Sequence, residues 1–101
     1  MASGVVNNLL SNGFGNRTFN WVSWNDSRLD SLPTYSEEWI ACAFSPDWAN
    51  EPQYGWGIVF KMCVPDTLWG WEVAISTDAI PALYIRNSIN GNPWSAWTRI
   101  Q

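Results

Sequence analysis

The sequence contains no histidine, only two cysteines and few charged residues. Without histidine, the chain lacks the usual general base of hydrolases and the commonest ligand of zinc. Cys42 and Cys63 do not complete a metal-binding set by themselves, so we expect neither a metal site nor a cofactor. The phosphate-binding loop, the dinucleotide-binding glycine pattern and the hydrolase nucleophile motif are absent as well. The composition therefore argues against an enzyme.

Carboxylates are the remaining route to catalysis, because a glycosidase needs only two of them. The candidates are Glu37, Glu38, Asp47, Glu51, Asp66 and Glu72. Acidic residues in loops and at strand starts usually serve solvation, and a chain of 101 residues leaves little room for a substrate cleft. We therefore expect the protein to act without catalysis.

Basic residues are also scarce, since five Lys and Arg stand against nine Asp and Glu and give a net charge of −4. No basic patch is available to neutralise phosphates, which argues against nucleic-acid binding. No apolar run approaches the roughly 18 residues of a membrane span, and the N-terminus lacks the pattern of a signal peptide. We expect the chain either to stay in the producing cell until lysis or to be a piece excised from a longer protein.

Tryptophan, by contrast, is abundant: nine of 101 residues, in a chain that is 47% hydrophobic and 14% charged. A single domain of this length buries roughly 60–70% of its unfolded surface. Nine indoles exceed the need of such a core, so some are expected on the surface, where they face a ligand or another subunit.

Short apolar segments alternate with turn signals along most of the chain. Strands are predicted at residues 18–24, 35–45, 54–64, 68–76 and in a final hairpin within 83–100. About six strands with short connections indicate an all-β fold, either a small antiparallel meander or a sandwich. Before them, Val5, Val6, Leu9 and Leu10 form a helical stripe. We therefore interpret residues 1–13 as a lead-in helix or fibre stem and residues 14–101 as one β domain.

Two further features have a simple structural interpretation. Cys42 and Cys63 lie in apolar strands, so two buried free thiols are favoured, although a disulfide is possible if the strands are neighbours. Residues 25–34 are polar and turn-rich, but their oxygens lack the spacing of an EF-hand calcium loop. We interpret this stretch as a solvated loop.

The C-terminal hairpin is the most informative stretch. Asn90-Gly91 favours a tight turn, because both residues accept positive φ. The motif around this turn consists of Tyr84, Arg86, Asn90, Gly91, Trp94, Ser95, Trp97 and Ile100. Its order and spacing resemble the C-terminal signature of the pyocin-knob family, small β modules near the ends of bacteriophage tail fibres, tail spikes and R-type pyocin fibres. A looser match runs from Tyr54 to Phe60, so the resemblance covers residues 50–101.

The resemblance implies a receptor-binding knob of the virion, at a tail fibre or tail tip, made in the cytoplasm of the host bacterium. Its partner would be a bacterial surface polysaccharide or another host receptor. It would assemble as a homotrimer, and contacts with other virion proteins are a further possibility. The motif positions that we expect to be structural are Tyr84, Arg86, Asn90, Gly91, Trp94 and Trp97. Among them Arg86 would stack on an indole, and the two tryptophans would fill the core or a subunit interface.

Exposed aromatic rings beside amides and carboxylates can hold a sugar, because the ring stacks on the apolar face of a pyranose and the polar groups bond its hydroxyls. The candidates are the rings Trp24, Trp48, Tyr54, Trp56 and Trp69 and the polar residues Asp47, Asn50 and Gln53. Trp48 comes first, because it lies in a polar loop, although it could also fold back as a lid on the core. Two alternatives fit the same composition: a structural or assembly protein that contacts another viral protein, and a monomeric carbohydrate-binding module.

Overall fold

A computed structural model describes residues 18–35, 38–53, 55–77 and 80–101. Within these ranges the chain forms a six-stranded sheet whose spatial order follows the chain order. The strands are β1 (Asn20–Val22), β2 (Ile40–Phe44), β3 (Gly57–Cys63), β4 (Gly70–Ser76), β5 (Leu83–Ser88) and β6 (Thr98–Arg99), and a 3-10 helix covers Ser27–Leu29. The predicted all-β fold is confirmed, while the predicted lead-in at residues 1–13 lies outside the described residues.

The sheet is mixed. Strands β2 to β6 pair antiparallel with their successive neighbours, as in the predicted meander, but β1 runs parallel to β2. Parallel neighbours need a crossover, which residues 23–39 supply. Most of residues 25–34 are exposed or half-buried, as expected for a solvated loop, but Leu29 in this crossover is fully buried. The segment therefore also caps one face of the sheet.

Alternation along the strands divides the side chains between two faces. The inner face is formed by the buried residues Ile40, Cys42, Phe44, Val59, Lys61, Cys63, Glu72, Ala74, Ser76, Tyr84, Arg86 and Ser88. The outer face is formed by Phe19, Trp21, Ala41, Ala43, Ile58, Phe60, Met62, Trp71, Val73, Ile75, Leu83, Ile85, Asn87, Thr98 and Ile100. Apart from the two alanines, the outer-face side chains are half-buried or exposed.

The hydrophobic core lies on the inner face, between the sheet and the loops. Phe44 and Val59 from the strands meet Leu29 and Trp48 from the loops in this core. Gly57 makes room for it, because a Cβ there would stand 2.7 Å from the Phe44 ring. The glycine thus allows a phenyl ring to occupy the space above β3.

The tight turn predicted after β5 is confirmed. Asn90 and Gly91 both adopt positive φ, at 56° and 78°. The Asn92 amide closes the turn by donating to the Ile89 carbonyl oxygen at 3.1 Å. The local sequence therefore sets this reversal of the chain, as expected for an Asn-Gly pair.

The strand predicted to return from this turn is much shorter than expected. Only Thr98–Arg99 form β6, although the Ser95 amide also donates to the Asn87 carbonyl oxygen at 2.8 Å. In a regular strand, residues three apart point to opposite faces. The irregular backbone at 93–97 instead allows Trp94 and Trp97 to lie together on the inner face, where both contact Arg86.

The two cysteines are buried free thiols, as predicted. They lie on the same face of adjacent strands, but Cys42 pairs with Val59, four positions before Cys63. That offset corresponds to roughly 13 Å along a strand, which is beyond the reach of a disulfide. Burial raises the pKa of the Cys42 thiol, and its Sγ lies 2.7 Å from the Ser23 carbonyl oxygen.

Candidate functional site

Three charged residues form a row across the inner face. Lys61 on β3 pairs with Glu72 on β4, and Glu72 pairs with Arg86 on β5. Their charges alternate in sign, which favours cross-strand attraction. The Arg86 Nε donates to Glu72 Oε1 at 2.7 Å, and the Glu72 side chain is fully buried. A buried ion pair of this kind fixes geometry, because neither charge can turn towards water.

The two cations of the row hold the crossover on the sheet. Lys61 Nζ donates to the carbonyl oxygens of Arg28 and Ser31, at 2.7 Å each. Arg86 Nη2 donates to the Leu29 carbonyl oxygen at 2.9 Å and lies 3.2 Å from Asp30 Oδ1. The backbone of this 3-10 segment therefore receives its hydrogen bonds from two buried side chains.

Glu72 is incompletely satisfied. Its Oε2 is buried and has no hydrogen-bond partner among the described residues. Burial raises the pKa of Glu72 to about 7, although the neighbouring Arg86 and Lys61 oppose that shift. Desolvation of the carboxylate thus outweighs the attraction of two cations. The row carries a group that can take up a proton near neutral pH.

Three indoles surround the guanidinium of Arg86. Its central carbon lies 5.4, 4.9 and 4.8 Å from the ring centroids of Trp48, Trp94 and Trp97. These distances fall within the range of cation–π attraction, which is stronger when the cation is shielded from water. The predicted stacking of Arg86 on an indole is confirmed, with three rings rather than one.

Each of these indoles is fixed by its own ring N–H. Trp48 donates to Asp30 Oδ2 at 2.9 Å, and Trp97 donates to the Asn50 carbonyl oxygen at 2.8 Å. Trp94 donates to a backbone oxygen of the crossover at 3.3 Å. Trp48 and Trp97 also meet edge to face, with ring centroids 6.1 Å apart. The rings are therefore pre-oriented, which lowers the entropic cost of any contact that they make.

Trp94 and Trp97 are only half-buried, and they form a wall of an open cleft of about 410 Å³. The cleft is lined by Ala49, Asn50, Glu51, Pro52, Arg86, Trp94, Ser95, Ala96 and Trp97. Glu51 Oε2 is buried and has no hydrogen-bond partner among the described residues. Burial also raises the pKa of Glu51. Aromatic walls with a few polar groups and a volume in this range are typical of small-molecule sites.

Trp48 does not line this surface as an exposed contact. It is 4% exposed and packs against Phe44 in the core. Of the two alternatives that the sequence left open, the lid on the core is the one that the structure shows. The expectation of an exposed loop tryptophan is wrong, because the ring finds both an apolar neighbour and a carboxylate for its N–H.

The other predicted aromatic contacts lie at opposite ends of the sheet. Trp24 and Trp56 meet edge to face at one end, with centroids 5.7 Å apart and exposed fractions of 56% and 54%. Trp69 precedes β4 at the other end, where its ring N–H donates to Asn90 Oδ1 at 2.8 Å. The length of β3, seven residues, separates the two groups by roughly 20 Å. One ligand of ordinary size cannot contact both.

The predicted polar contacts are also divided. Asn50 lines the cleft. Gln53 accepts a hydrogen bond from the Tyr84 hydroxyl, and Asp47 donates its backbone N–H to the Ser45 hydroxyl at 3.3 Å. Tyr54 lies outside the described residues. The cleft therefore unites one predicted polar residue with two tryptophans that the sequence assigned to structure.

Sequence reasoning missed the cleft because it assigned each motif residue one role. Trp94 and Trp97 both contact Arg86 on the inner face, and yet the two rings keep one side open to solvent. Glu51 was considered only as a solvating acid. Pro93 gave a partial signal, because proline is confined to an edge, a bulge or the first position of a strand and so limits regular pairing just before Trp94.

The described residues contain no group of three or more His, Cys, Asp and Glu side chains that could hold a metal ion. Over the same ranges, no helix is both long and apolar enough to cross a membrane. No family model matches the chain, and no curated protein or solved structure is significantly similar to it.

Proposed function

We propose that this protein is a non-catalytic receptor-binding knob of a bacteriophage tail fibre and attaches to a glycan on the bacterial surface. The observation that carries the proposal is the cleft walled by Trp94 and Trp97, with Asn50 and Glu51 beside it. A pyranose would stack its apolar face on an indole and bond its hydroxyls to the exposed side-chain amide of Asn50. Both rings belong to the motif that resembles the pyocin-knob family.

The arrangement of carboxylates supports binding without hydrolysis. Within the described residues, Glu51 is the one carboxylate that lines the cleft. A two-carboxylate glycosidase mechanism needs a second one across the scissile bond. Glu72 does not serve, because it is fully buried behind the Arg86 guanidinium. In this proposal the protein is carried on the virion as a homotrimer, as the family resemblance implies.

The test is binding of the purified chain to an array of bacterial lipopolysaccharide, capsule and teichoic-acid fragments, followed by titration calorimetry with the best ligand. Asn50→Ala should weaken binding about tenfold, since it removes one hydrogen bond of roughly 1–1.5 kcal/mol. The backbone contact from Asn50 to Trp97 would remain. Ala96→Trp, at an exposed position in the cleft, should abolish binding by filling the space.

Asn92→Ala is the matched control, because Asn92 is an exposed asparagine outside the cleft lining. It should leave the affinity unchanged. If the chain binds none of the bacterial glycans, or if Ala96→Trp binds as well as the natural sequence, attachment through this cleft is rejected.

A second function is an assembly role in the virion, in which an aromatic surface contacts another viral protein. The outer face of the sheet favours this alternative, because it exposes apolar side chains that a free-standing sugar-binding module would not need. A chain that binds no glycan but is retained by purified tail proteins would support it. A chain that binds glycans as a monomer would instead favour a carbohydrate-binding module.

A further inference from the structure

The outer face of the sheet carries no formal charge. Every charged residue on β3, β4 and β5, namely Lys61, Glu72 and Arg86, lies on the inner face. The outer side of the same strands presents Phe60, Val73 and similar apolar residues, and all of them are half-buried rather than buried. The usual pattern for a sheet with one solvated face is the reverse, with polar residues on the solvated side.

The loops do not correct this imbalance, because their contacts among the described residues lie mostly on the inner face, and Trp39, which meets Phe19 at a centroid distance of 5.5 Å, adds another apolar ring to the outer face. The crossover is held there by Lys61 and Arg86, and the loop after β2 inserts Trp48 into the same core. The loop after β5 brings Trp94 and Trp97 to Arg86. A layer of loops thus covers one side of the sheet, while the more apolar side lacks such a layer among the described residues.

The apolar surface extends to both edges of the outer face. Trp21 on the β1 edge is 63% exposed, and Ile100 beside β5 at the other edge is 59% exposed. The six strands contain 3, 5, 7, 7, 6 and 2 residues, and at about 3.3 Å per residue and about 4.8 Å between strands they give a flat projection of roughly 500 Å². Stable interfaces bury at least about 600 Å² per partner, and the accessible area of a side-chain surface exceeds its flat projection. The face is therefore large enough for a stable contact between proteins.

We propose that copies of this chain bury their outer faces against one another. A second copy is the occupant that the composition favours, because a face of apolar side chains is complementary to itself. No ion has to be desolvated when two such faces meet. A partner that recognises charge would find nothing to pair with, and two sheets pack well at about 10 Å when their facing side chains are apolar.

This inference deepens the oligomeric part of the proposed function and is independent of sugar binding. It names the surface through which subunits associate. Face-to-face packing would give two chains, whereas three sheets around a three-fold axis would give the homotrimer. The cleft lies on the opposite side of the sheet and would remain open in either arrangement.

The experiment is light scattering of the full chain after size exclusion, across a hundredfold range of concentration around 10 µM. We expect a mass of two or three times 11.5 kDa for the natural sequence. Val73→Glu, at the centre of the outer face, should reduce the mass to one chain. Asn92→Glu, an exposed position away from this face, should not change it. Near-ultraviolet circular dichroism would verify that each variant is folded.

If Val73→Glu fails to fold, Val73→Thr decides the question, because threonine suits a strand and should raise the dissociation constant at least tenfold. A single-chain mass for the natural sequence at every concentration overturns the inference, and so does an unchanged mass for a folded Val73→Glu. If hydroxyl-radical footprinting of the natural monomer shows the outer-face side chains shielded from solvent, residues 1–17 of the same chain cover them instead, which also overturns self-association.

Self-association through the outer face and glycan binding in the cleft can be disproved separately. A monomeric Val73→Glu that still binds a soluble oligosaccharide with unchanged affinity separates association from recognition. The same variant should bind cells 10²–10⁴-fold more weakly, because it loses multivalent attachment. A mass of two chains would reject the homotrimer and keep the outer face as the interface.

Discussion

The two faces of the sheet are made of alternate residues from the same strands, yet polarity is distributed on them in an unusual way. The inner face is buried and contains Lys61, Glu72 and Arg86, whereas the outer face is half-exposed and uncharged. On the inner face, directional hydrogen bonds and ion pairs fix the position of each charged side chain and the partner that it contacts. On the outer face, apolar area is available to any partner of matching shape. The inner face therefore defines one folded structure, whereas the outer face is suited to assembly.

The strongest test of this comparison is to remove Arg86. Arg86→Leu would leave Glu72 buried without its partner and would remove the contacts to three indoles. We expect the free energy of unfolding to fall by about 3–5 kcal/mol, as for other broken buried ion pairs. Urea unfolding followed by tryptophan fluorescence measures the change.

The matched control for Arg86 is its neighbour Ile85, whose side chain lies on the outer face. Ile85→Val should cost about 1 kcal/mol or less. The double variant Glu72→Leu/Arg86→Leu should recover part of the loss, since it leaves no unpaired charge. Similar losses for Arg86→Leu and Ile85→Val would mean that the charged row does not hold the inner layer.

The second largest effect concerns pH. The pKa of Glu72 is raised from 4.5 to about 7 by burial. Between these values the folded chain binds the proton more tightly than the unfolded chain, so this contribution to stability is full below pH 4.5 and is lost as pH rises to about 7. The loss should be on the order of 3 kcal/mol. Urea midpoints measured at half-unit pH intervals would show it.

Glu72→Gln should flatten this dependence, because the amide does not titrate. The pKa of Glu51 is raised as well, so Glu51→Gln is the control for that second carboxyl. The pKa of Asp26 is lowered from 3.8 by its hydrogen bonds with Arg28, so its contribution to stability changes only below pH 3.8 and falls as the pH is lowered. A midpoint for the natural sequence that rises between pH 4.5 and 7 would contradict the assignment to Glu72.

Local patterns were sufficient to predict the turn and the central strands, although β1 and β6 are shorter than predicted. Alternation of period two placed Trp71, Val73 and Ile75 on one face, and Asn90-Gly91 marked the turn. These features depend on neighbours in sequence. The parallel pairing of β1 was not predicted, because it depends on where a long crossover packs.

Strand patterns alone could not predict which face of the sheet the loops cover. Alternation in β4 favours burial of the side with Trp71 and Val73, yet the loops cover the side with Glu72. They do so because Leu29 and the indoles bring apolar surface, and backbone oxygens of the crossover satisfy Lys61. The cleft depends on the same packing, so its position could not be derived from spacing alone.

A smaller effect on the free energy of unfolding is expected from a valine-to-threonine substitution on each face of the sheet. Val59 lies on the inner face of β3 and is fully buried, while Val73 lies on the outer face of β4. Val59→Thr should cost about 1–3 kcal/mol, because the new hydroxyl is buried without a ready partner. Val73→Thr should cost less than about 1 kcal/mol at concentrations at which subunits are apart.

The measurement for this pair is urea unfolding at 0.5 µM and again at 100 µM. Val73→Thr should become more costly at the higher concentration if copies bury the outer face, whereas the cost of Val59→Thr should not change. Equal costs for the two variants at low concentration would show that the faces do not differ in burial, and the comparison between them would fail.

The smallest effect is expected at the rim of the sheet, where Trp24 and Trp56 meet edge to face and both are largely exposed. A double-mutant cycle with Trp24→Ala and Trp56→Ala should give a coupling of about 0.5 kcal/mol, the low end for aromatic pairs, because water competes for both rings. A cycle between Trp24 and Trp69, at opposite ends of the sheet, should give none. A coupling above about 1.5 kcal/mol for the first pair would exceed the range of aromatic pairs. It would mean that these rings are buried in the assembled protein, which would extend the buried interface from the outer face to this end of the sheet.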